Sequence, residues 1–377
     1  MTTTGQRRYD IDWLRVFATG VVLFFHCARF FDEEGWHVKN PQTSELMGVF
    51  IGITVQWMMP LFFVLSAFGV CIAIRNRSSR AYLVERVRRL LVPFVFGTFV
   101  LIPPQVYIER HTQDGFAGSF VQFLPHYFDG WYNFGGNFAW MGLHLWYLQA
   151  LFVFSVLTLP LLRFFERRRR RLLSAAAGAI ALTPGAVFLL AIPIGVAEAI
   201  VNRWPDTWGM RGFGGWSLVV YLVIFLVGCA VAADERMQNA VAGHRLIALV
   251  LAIGTTTVLA YLVLARNFST RTPVISFARA FNCWFWLVAI LGFGSRYLQF
   301  NRPVLKYLNE AVLPFYMLHQ TVIVVLAYSM IDLPLGIGAK YVILLVASFA
   351  AIAALYELLI RRLVPLRVLF GMKPLST

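Results

Sequence analysis

The chain alternates between long apolar runs and short polar connectors. Crossing the hydrocarbon core as a helix takes roughly 20 mainly apolar residues. Ten runs meet that length, near 14–31, 48–74, 90–108, 144–164, 173–197, 216–233, 245–265, 276–294, 311–331 and 340–360. Their Leu, Val, Phe and Ala content favours helices over tilted barrel strands, in which polarity would alternate at every second residue. The run 173–197 holds Pro184 and Pro193 and is the least regular. The pattern predicts an all-α integral membrane protein, a single membrane-embedded domain over 1–377 with about ten transmembrane helices. No internal repeat, low-complexity tract or linker to a soluble domain is visible.

Composition narrows the class. Apolar residues make up 59% and charged residues 14%, against about 45–50% and 25% in soluble domains. A net charge of +15 raises the question of nucleic acid, and the placement of the charges answers it. With the N-terminus inside, one face of the ten-span arrangement collects 23 Lys and Arg, the other nine, and Arg15 stands at a helix entrance. Cytoplasmic loops carry such an excess. Both termini are therefore expected in the cytoplasm, the protein in the inner or plasma membrane. The charge is a topology signal, so the partner expected for it is membrane lipid and not nucleic acid. Arg167 to Arg171 fit a stop-transfer anchor against anionic headgroups. Cys27, Cys71, Cys229 and Cys283 lie in apolar runs without a second Cys or a His cluster at ligand spacing, so neither a disulfide framework nor a metal site is expected. Arg7 and Arg8 before an apolar run imitate a signal peptide, but Arg15 and His26 interrupt that run and no small-residue cleavage site follows.

Ionisable groups inside spans are costly and point to function. Arg15 and His26 are eleven residues apart, three helical turns plus about 20°, so they share a face at an axial distance of about 16 Å. A snorkelling arginine and a hydrogen-bonded histidine would be the structural explanation. Arg86 and Arg89 sit at i and i+3 at the entrance of the third span, suited to bidentate phosphate contacts or to simple anchoring. His144, Trp146 and Tyr147 open the fourth span. An interfacial aromatic belt explains the Trp and Tyr but not the histidine. His319 is expected to be a satisfied packing histidine. The polar stretches 32–47 and 109–143 hold Trp36, His37 and a Gly- and aromatic-rich segment, FDGWYNFGGNFAW.

Four segments carry a resemblance. Arg15, ten residues, then His26 in YDIDWLRVFATGVVLFFHCARFF resembles the opening span of the membrane acyltransferase 3 family. Arg86, Arg89 and Pro93 resemble its Arg-x-x-Arg pair, MPLFFVLSAFGV its second span, and LPFYMLH its SYxxYxxH segment. WHV at 36–38, MPLFF and HLWYL at 144–148 are most similar to the periplasmic glucan succinyltransferase branch. The chain departs from the pattern at Pro60, where many members place an Asp, at Ala67 for Gly, and in the LPFYMLH segment, which lacks the Ser.

The resemblance implies acyl transfer from cytoplasmic acyl-CoA, carrying an acetyl or succinyl group, to a hydroxyl of an extracytoplasmic glycan. Arg15, Arg86 and Arg89 would hold the CoA phosphates. His26 would act as general base, a role worth roughly 10²–10⁴-fold, in direct transfer without a covalent relay. Trp36, His37, His144, Trp146 and Tyr147 would meet the acceptor. A polytopic secondary transporter is the alternative, since spans with intramembrane charges suit it too.

Overall fold

The computed structural model describes residues 7–168, 170–207, 214–269 and 271–373. The side chains of the basic block at 167–171, and Arg211, fall outside the described residues. Helices make up the fold, and no β-strand forms among the described residues. Seven helices are long and apolar enough to cross a membrane: Tyr9–Arg29, Glu45–Asn76, Ser79–Gln113, Arg245–Ala265, Pro273–Tyr297, Pro303–Tyr328 and Ile337–Ile360. Two bent pairs, Leu143–Leu157 with Leu159–Glu166 and Leu218–Ala233 with Glu235–Gly243, raise the number to nine if each is one span.

The expected span at 173–197 is not a single rod. It divides into Arg170–Leu182 and a shorter apolar helix, Ala186–Val201. Pro184 has no amide proton to continue the first helix, and Gly185 takes φ +76°, the left-handed conformation that ends helices. The third span starts earlier than its apolar run, at Ser79, because a helix continues through Arg86, Arg88 and Arg89 as readily as through leucine.

The chain separates into two compact units, each built from three stretches. Unit 1 comprises Met1–Ala18, Ile53–Tyr82 and Phe154–Asn309. Within it the helix Pro273–Tyr297 packs against Arg245–Ala260 and Ala191–Val201. Helix Leu218–Ala233 crosses Met58–Asn76 at Gly228, where a Cβ would meet the Val64 Cα at 3.0 Å. Small residues at such crossings let backbones approach closely, the usual packing device between helices in lipid.

Unit 2 comprises Thr19–Gly52, Leu83–Val153 and Glu310–Thr377. Its Ser79–Gln113 helix contains a wide turn at Val87–Leu91. Pro93 cannot donate to the Arg89 carbonyl, and the Val92 amide bonds back to Val87 O instead, giving the i to i−5 pattern. The Gly-rich segment folds on itself after this helix. Tyr132 N and Phe138 N donate to Phe138 O and Gly130 O at 3.0 and 2.9 Å. Gly136 lies so close to Gly130 that any side chain there would collide with its backbone. The Tyr127 hydroxyl pins the segment by donating to Thr98 O at 2.8 Å.

Candidate active site

Unit 2 gathers three imidazoles from three helices. His319, in Pro303–Tyr328, lies with its ring centroid 4.7 Å from His26 and 5.0 Å from His144, both in edge contact. Each ring is oriented by a backbone carbonyl, and because a carbonyl only accepts, the bonded nitrogen must carry the proton. His26 Nδ1 donates to Val22 O at 3.0 Å in its own helix. That leaves Nε2 with its lone pair, and among the described residues it has no hydrogen-bond partner. His319 Nδ1 donates to Tyr316 O one turn back, and its Nε2 is buried without a partner. His144 differs. Its Nε2 donates to Met317 O at 3.0 Å and its Nδ1 accepts from Gln105 Nε2 at 3.4 Å. No group of three or more His, Cys, Asp or Glu among the described residues is arranged to hold a metal ion.

A second imidazole system adjoins this cluster. His37 Nδ1 donates to the Glu109 carboxylate. Tyr132 caps the same carboxylate with hydroxyl contacts of 2.7 and 2.8 Å. Burial, and then the Glu109 charge, push the Tyr132 phenol above its ordinary range, so it stays a donor. Gln320 Nε2 donates to His37 Nε2 at 3.0 Å and to Gln105 Oε1 at 2.9 Å. Through Gln105 this ladder reaches His144.

Trp36 stands next to both systems, its ring 6.3 Å from His26 and 5.7 Å from His37. Trp36 also lines a cleft of about 410 Å³, together with Lys39, His111, Thr112, Gln113 and Tyr328 among others. It offers an aromatic face beside several hydrogen-bonding side chains. Burial draws the Lys39 ammonium below its usual range although Asp32 partly offsets this.

The residues singled out from sequence therefore divide. His26, Trp36, His37 and His144 come together. Trp146 and Tyr147 are each only 7% exposed; Tyr147 packs on Tyr316, with centroids at 5.8 Å, so both are interior residues and not an interfacial belt. Arg86 and Arg89 flank Glu85 at 3.4 and 3.9 Å. Arg86 is largely enclosed and Arg89 half exposed, with side-chain exposures of 12% and 53%. Neither is at a helix N-terminus, since the helix begins at Ser79. Arg15 belongs to unit 1, where it donates to Asp12 at 3.3 Å and to the Leu65 carbonyl at 3.1 Å. A side chain at Gly69 would come within 3.3 Å of its guanidinium. The arginine of the first span and the LSAFG stretch of the second thus meet directly.

Two site residues escaped the sequence. Glu109 opens the polar stretch 109–143, yet it lies in the last turns of Ser79–Gln113 and is the carboxylate that orients a histidine, His37 and not His26. Its position 72 residues from His37 left no local signal. His319 was expected to be satisfied, and its Nε2 is not.

Known proteins resemble this chain over part or most of its length. Glucans biosynthesis protein C of Salmonella heidelberg (strain SL476) is 24% identical over 236 residues, covering 59% of this chain and 57% of the relative. The proteins of the same name from Salmonella typhi and Salmonella typhimurium (strain LT2) are 23% identical over 235 residues, with the same coverage. The chain thus aligns with little more than half the length of these curated relatives. No solved structure matches it. The acyltransferase 3 family, described as an acyltransferase domain, matches residues 8–357, and across nearly its whole length the chain belongs to that family of membrane proteins.

Proposed function

We propose that this protein is an O-acyltransferase that moves a succinyl or acetyl group from cytoplasmic acyl-CoA to a hydroxyl of an extracytoplasmic glycan, with His26 as general base. The observation that carries the reading is the His26 tautomer. Its proton is committed to Val22 O, so the free Nε2 lone pair is the form that can take a hydroxyl proton as the oxygen attacks a thioester carbonyl. The hydroxyl oxygen forms the new bond to the acyl carbon, the carbon–sulfur bond breaks, and the proton ends on the CoA sulfur.

The cleft beside Trp36 suits a sugar. An indole face stacks on the apolar side of a pyranose ring, and Lys39, Thr112 and Gln113 present groups for its hydroxyls. The relatives' name supports a glucan as the acceptor. Arg86 and Arg89 are assigned to the donor phosphates because guanidinium forks bind phosphate oxygens bidentately. Arg15 serves as a helix clamp in unit 1. The positive-inside bias supports an inner-membrane location with Arg86 at the cytoplasmic side.

Purified protein supplied with radiolabelled succinyl-CoA or acetyl-CoA and a glucan tests the reading. His26→Ala should lower transfer by roughly 10²–10⁴-fold while acyl-CoA binding persists. Transfer within about tenfold of the unaltered protein would remove His26 as base. Solute movement without any acyl product would make the protein a transporter. Thiol labelling from outside should modify Gly115→Cys and Asp206→Cys but not Ser78→Cys or Asn301→Cys; the reverse would invert the orientation.

A further inference from the structure

We infer that the stretch from Phe120 to Phe138 in unit 2 is a lipid anchor, lying in the headgroup layer of the bilayer beside the span Ser79–Gln113. The starting point is a set of apolar side chains left outside. Phe134 is 85% exposed and Val121 73%, and Leu124, Phe128 and Trp131 are exposed as well. A large exposed apolar surface marks an interaction site. The stretch is held firmly, so the fold itself presents this surface. Arg110 Nε and Nη2 donate to Asn137 Oδ1 and Gly136 O at 2.8 and 2.9 Å, and Ser119 with Gln122 forms a capping box at the start of helix Phe120–His126.

Continuity with the span identifies what covers it. Phe99 and, one turn earlier, Val95 are exposed on the spanning helix, where such side chains face hydrocarbon. The Phe99 ring lies 6.2 Å from Phe128 and 6.0 Å from Phe138, and Phe138 lies 5.9 Å from Trp131. A row of rings therefore runs without a break from the lipid-facing side of the span to Trp131. The short helix has matching sides. Phe123 is buried against the protein, Val121 and Leu124 share an outer face at i and i+3, and His126 pairs with Asp129 at 2.8 Å with both exposed. Such a division suits an element lying in the interface plane, apolar side in lipid and charges in water. Trp131 fits that depth, with an apolar ring and one N–H for water or headgroups. A sugar platform matches less well, because Val121 and Leu124 have no flat face to offer a pyranose ring.

The anchor has a neighbour of consequence. Tyr132 sits in the chain between Trp131 and Phe134, and its hydroxyl donates to Glu109 at 2.7 and 2.8 Å. Lipid contact at Trp131 and Phe134 thus steadies the turn that carries this hydroxyl. Neither the chemistry of acyl transfer nor the direction in which the chain crosses the membrane enters the inference, so it stands or falls apart from them.

Depth measurement tests this in the full-length protein in phospholipid nanodiscs. Phe134→Cys carries an environment-sensitive dye, and Val121→Cys reads the same surface should the first variant not fold. His126→Cys, on the polar side of the same helix as Val121, is the comparator. Labelled parent, whose own cysteines include the half-exposed Cys71, gives the background. At Phe134 and Val121 the emission should shift to the blue of the His126 probe and be quenched by nitroxide-bearing lipids and not by iodide. Two nitroxide depths should place both probes about 5–10 Å into the boundary between headgroups and acyl chains. Water-like emission quenched by iodide would overturn the anchor. Blue-shifted emission that lipid nitroxides do not quench would mean that protein covers the patch, and protection by added glucan would make it a sugar platform. Either result overturns the inference.

Discussion

Two buried polar clusters, one in each unit, look alike in composition and differ in how fully their groups are used. In unit 1, Arg279 is 7% exposed and every guanidinium nitrogen has an acceptor. Glu198 Oε1 is at 2.7 Å, Gly215 O at 2.8 Å and Gln56 Oε1 at 3.4 Å, while the ring of Trp216 lies 4.5 Å below the charge. In unit 2, the buried Nε2 of His319 meets no donor, and the half-buried His26 bonds through Nδ1 to Val22 O. Both clusters place ionisable groups within helices of the membrane domain. The difference is that a fully engaged cation is consistent with holding helices and a loop together, whereas an unpaired buried nitrogen has only a cost until something arrives to bond it. The contrast holds between the guanidinium and the imidazole and not for every atom of the clusters, since Glu198 Oε2 also lacks a hydrogen bond.

That distinction can be broken most directly at Arg279. Arg279→Ala leaves Glu198, which is 0% exposed, facing the loss of its cation. Breaking such a pair costs about 3–5 kcal/mol, so the variant should unfold at markedly lower temperature or denaturant. Replacing both partners together, Arg279→Met with Glu198→Gln, should recover most of that loss. An Arg279→Ala protein as stable as the parent but unable to transfer acyl groups would move this cluster into the active machinery and undo the comparison.

Arg86 tests where the boundary falls, because it is largely enclosed yet has an acidic neighbour at 3.4 Å. Arg86→Lys keeps the charge and loses the planar fork. One lost contact to a charged group, about 1.5–3 kcal/mol, predicts a roughly 10- to 150-fold rise in the acyl-CoA dissociation constant. Donors lacking the nucleotide phosphates should bind parent and variant alike. Unchanged binding of intact CoA would make Arg86 an anchor. His319→Phe sharpens the contrast from the other side. It removes the unsatisfied Nε2 acceptor and also the Nδ1 donor to Tyr316 O, so stability should change by no more than about 1 kcal/mol. A loss well beyond that single bond would mean that Nε2 is also bonded in the resting protein.

The spans were legible because lipid imposes one rule on every segment that crosses it, and nine of the ten apolar runs coincide with long helices or bent pairs. The tenth was not, since a left-handed glycine decides a break more sharply than average hydropathy does. Helix ends were misplaced wherever polar residues continue a helix, as at Ser79 to Arg86 and at Glu109. That error also hid the carboxylate. Reading 109–143 as loop left Glu109 without a reason to face His37. His26 was visible alone, as an ionisable group deep in an apolar helix. Its neighbours were not, because no pattern in a single sequence says that residues 26, 144 and 319 bring their rings into contact. Trp146 and Tyr147 have the composition of a membrane-interface belt, and only packing distinguishes that from an aromatic core.

The smallest effect is expected at Tyr132. Its hydroxyl donates to both oxygens of Glu109, at 2.8 and 2.7 Å, and the same carboxylate also receives His37 Nδ1. Removing one donor of several leaves the carboxylate bonded, so Tyr132→Phe should cost only about 1 kcal/mol. The phenol's raised ionisation range fixes the pH behaviour. With the folded pKa above the unfolded one, this hydrogen bond contributes fully below the ordinary phenol value of about 10. Its contribution declines only as pH rises beyond that. The stability difference between parent and Tyr132→Phe should therefore be flat from pH 6 to about pH 9, measured by denaturant unfolding in detergent. Because Tyr132 orients Glu109, and Glu109 orients His37 beside the Trp36 cleft, the variant should weaken acceptor affinity by no more than about fivefold and leave donor affinity unchanged. A loss of turnover as large as that of His26→Ala, with acceptor affinity intact, would place the Tyr132–Glu109–His37 system in the proton path and enlarge the chemically active region beyond His26.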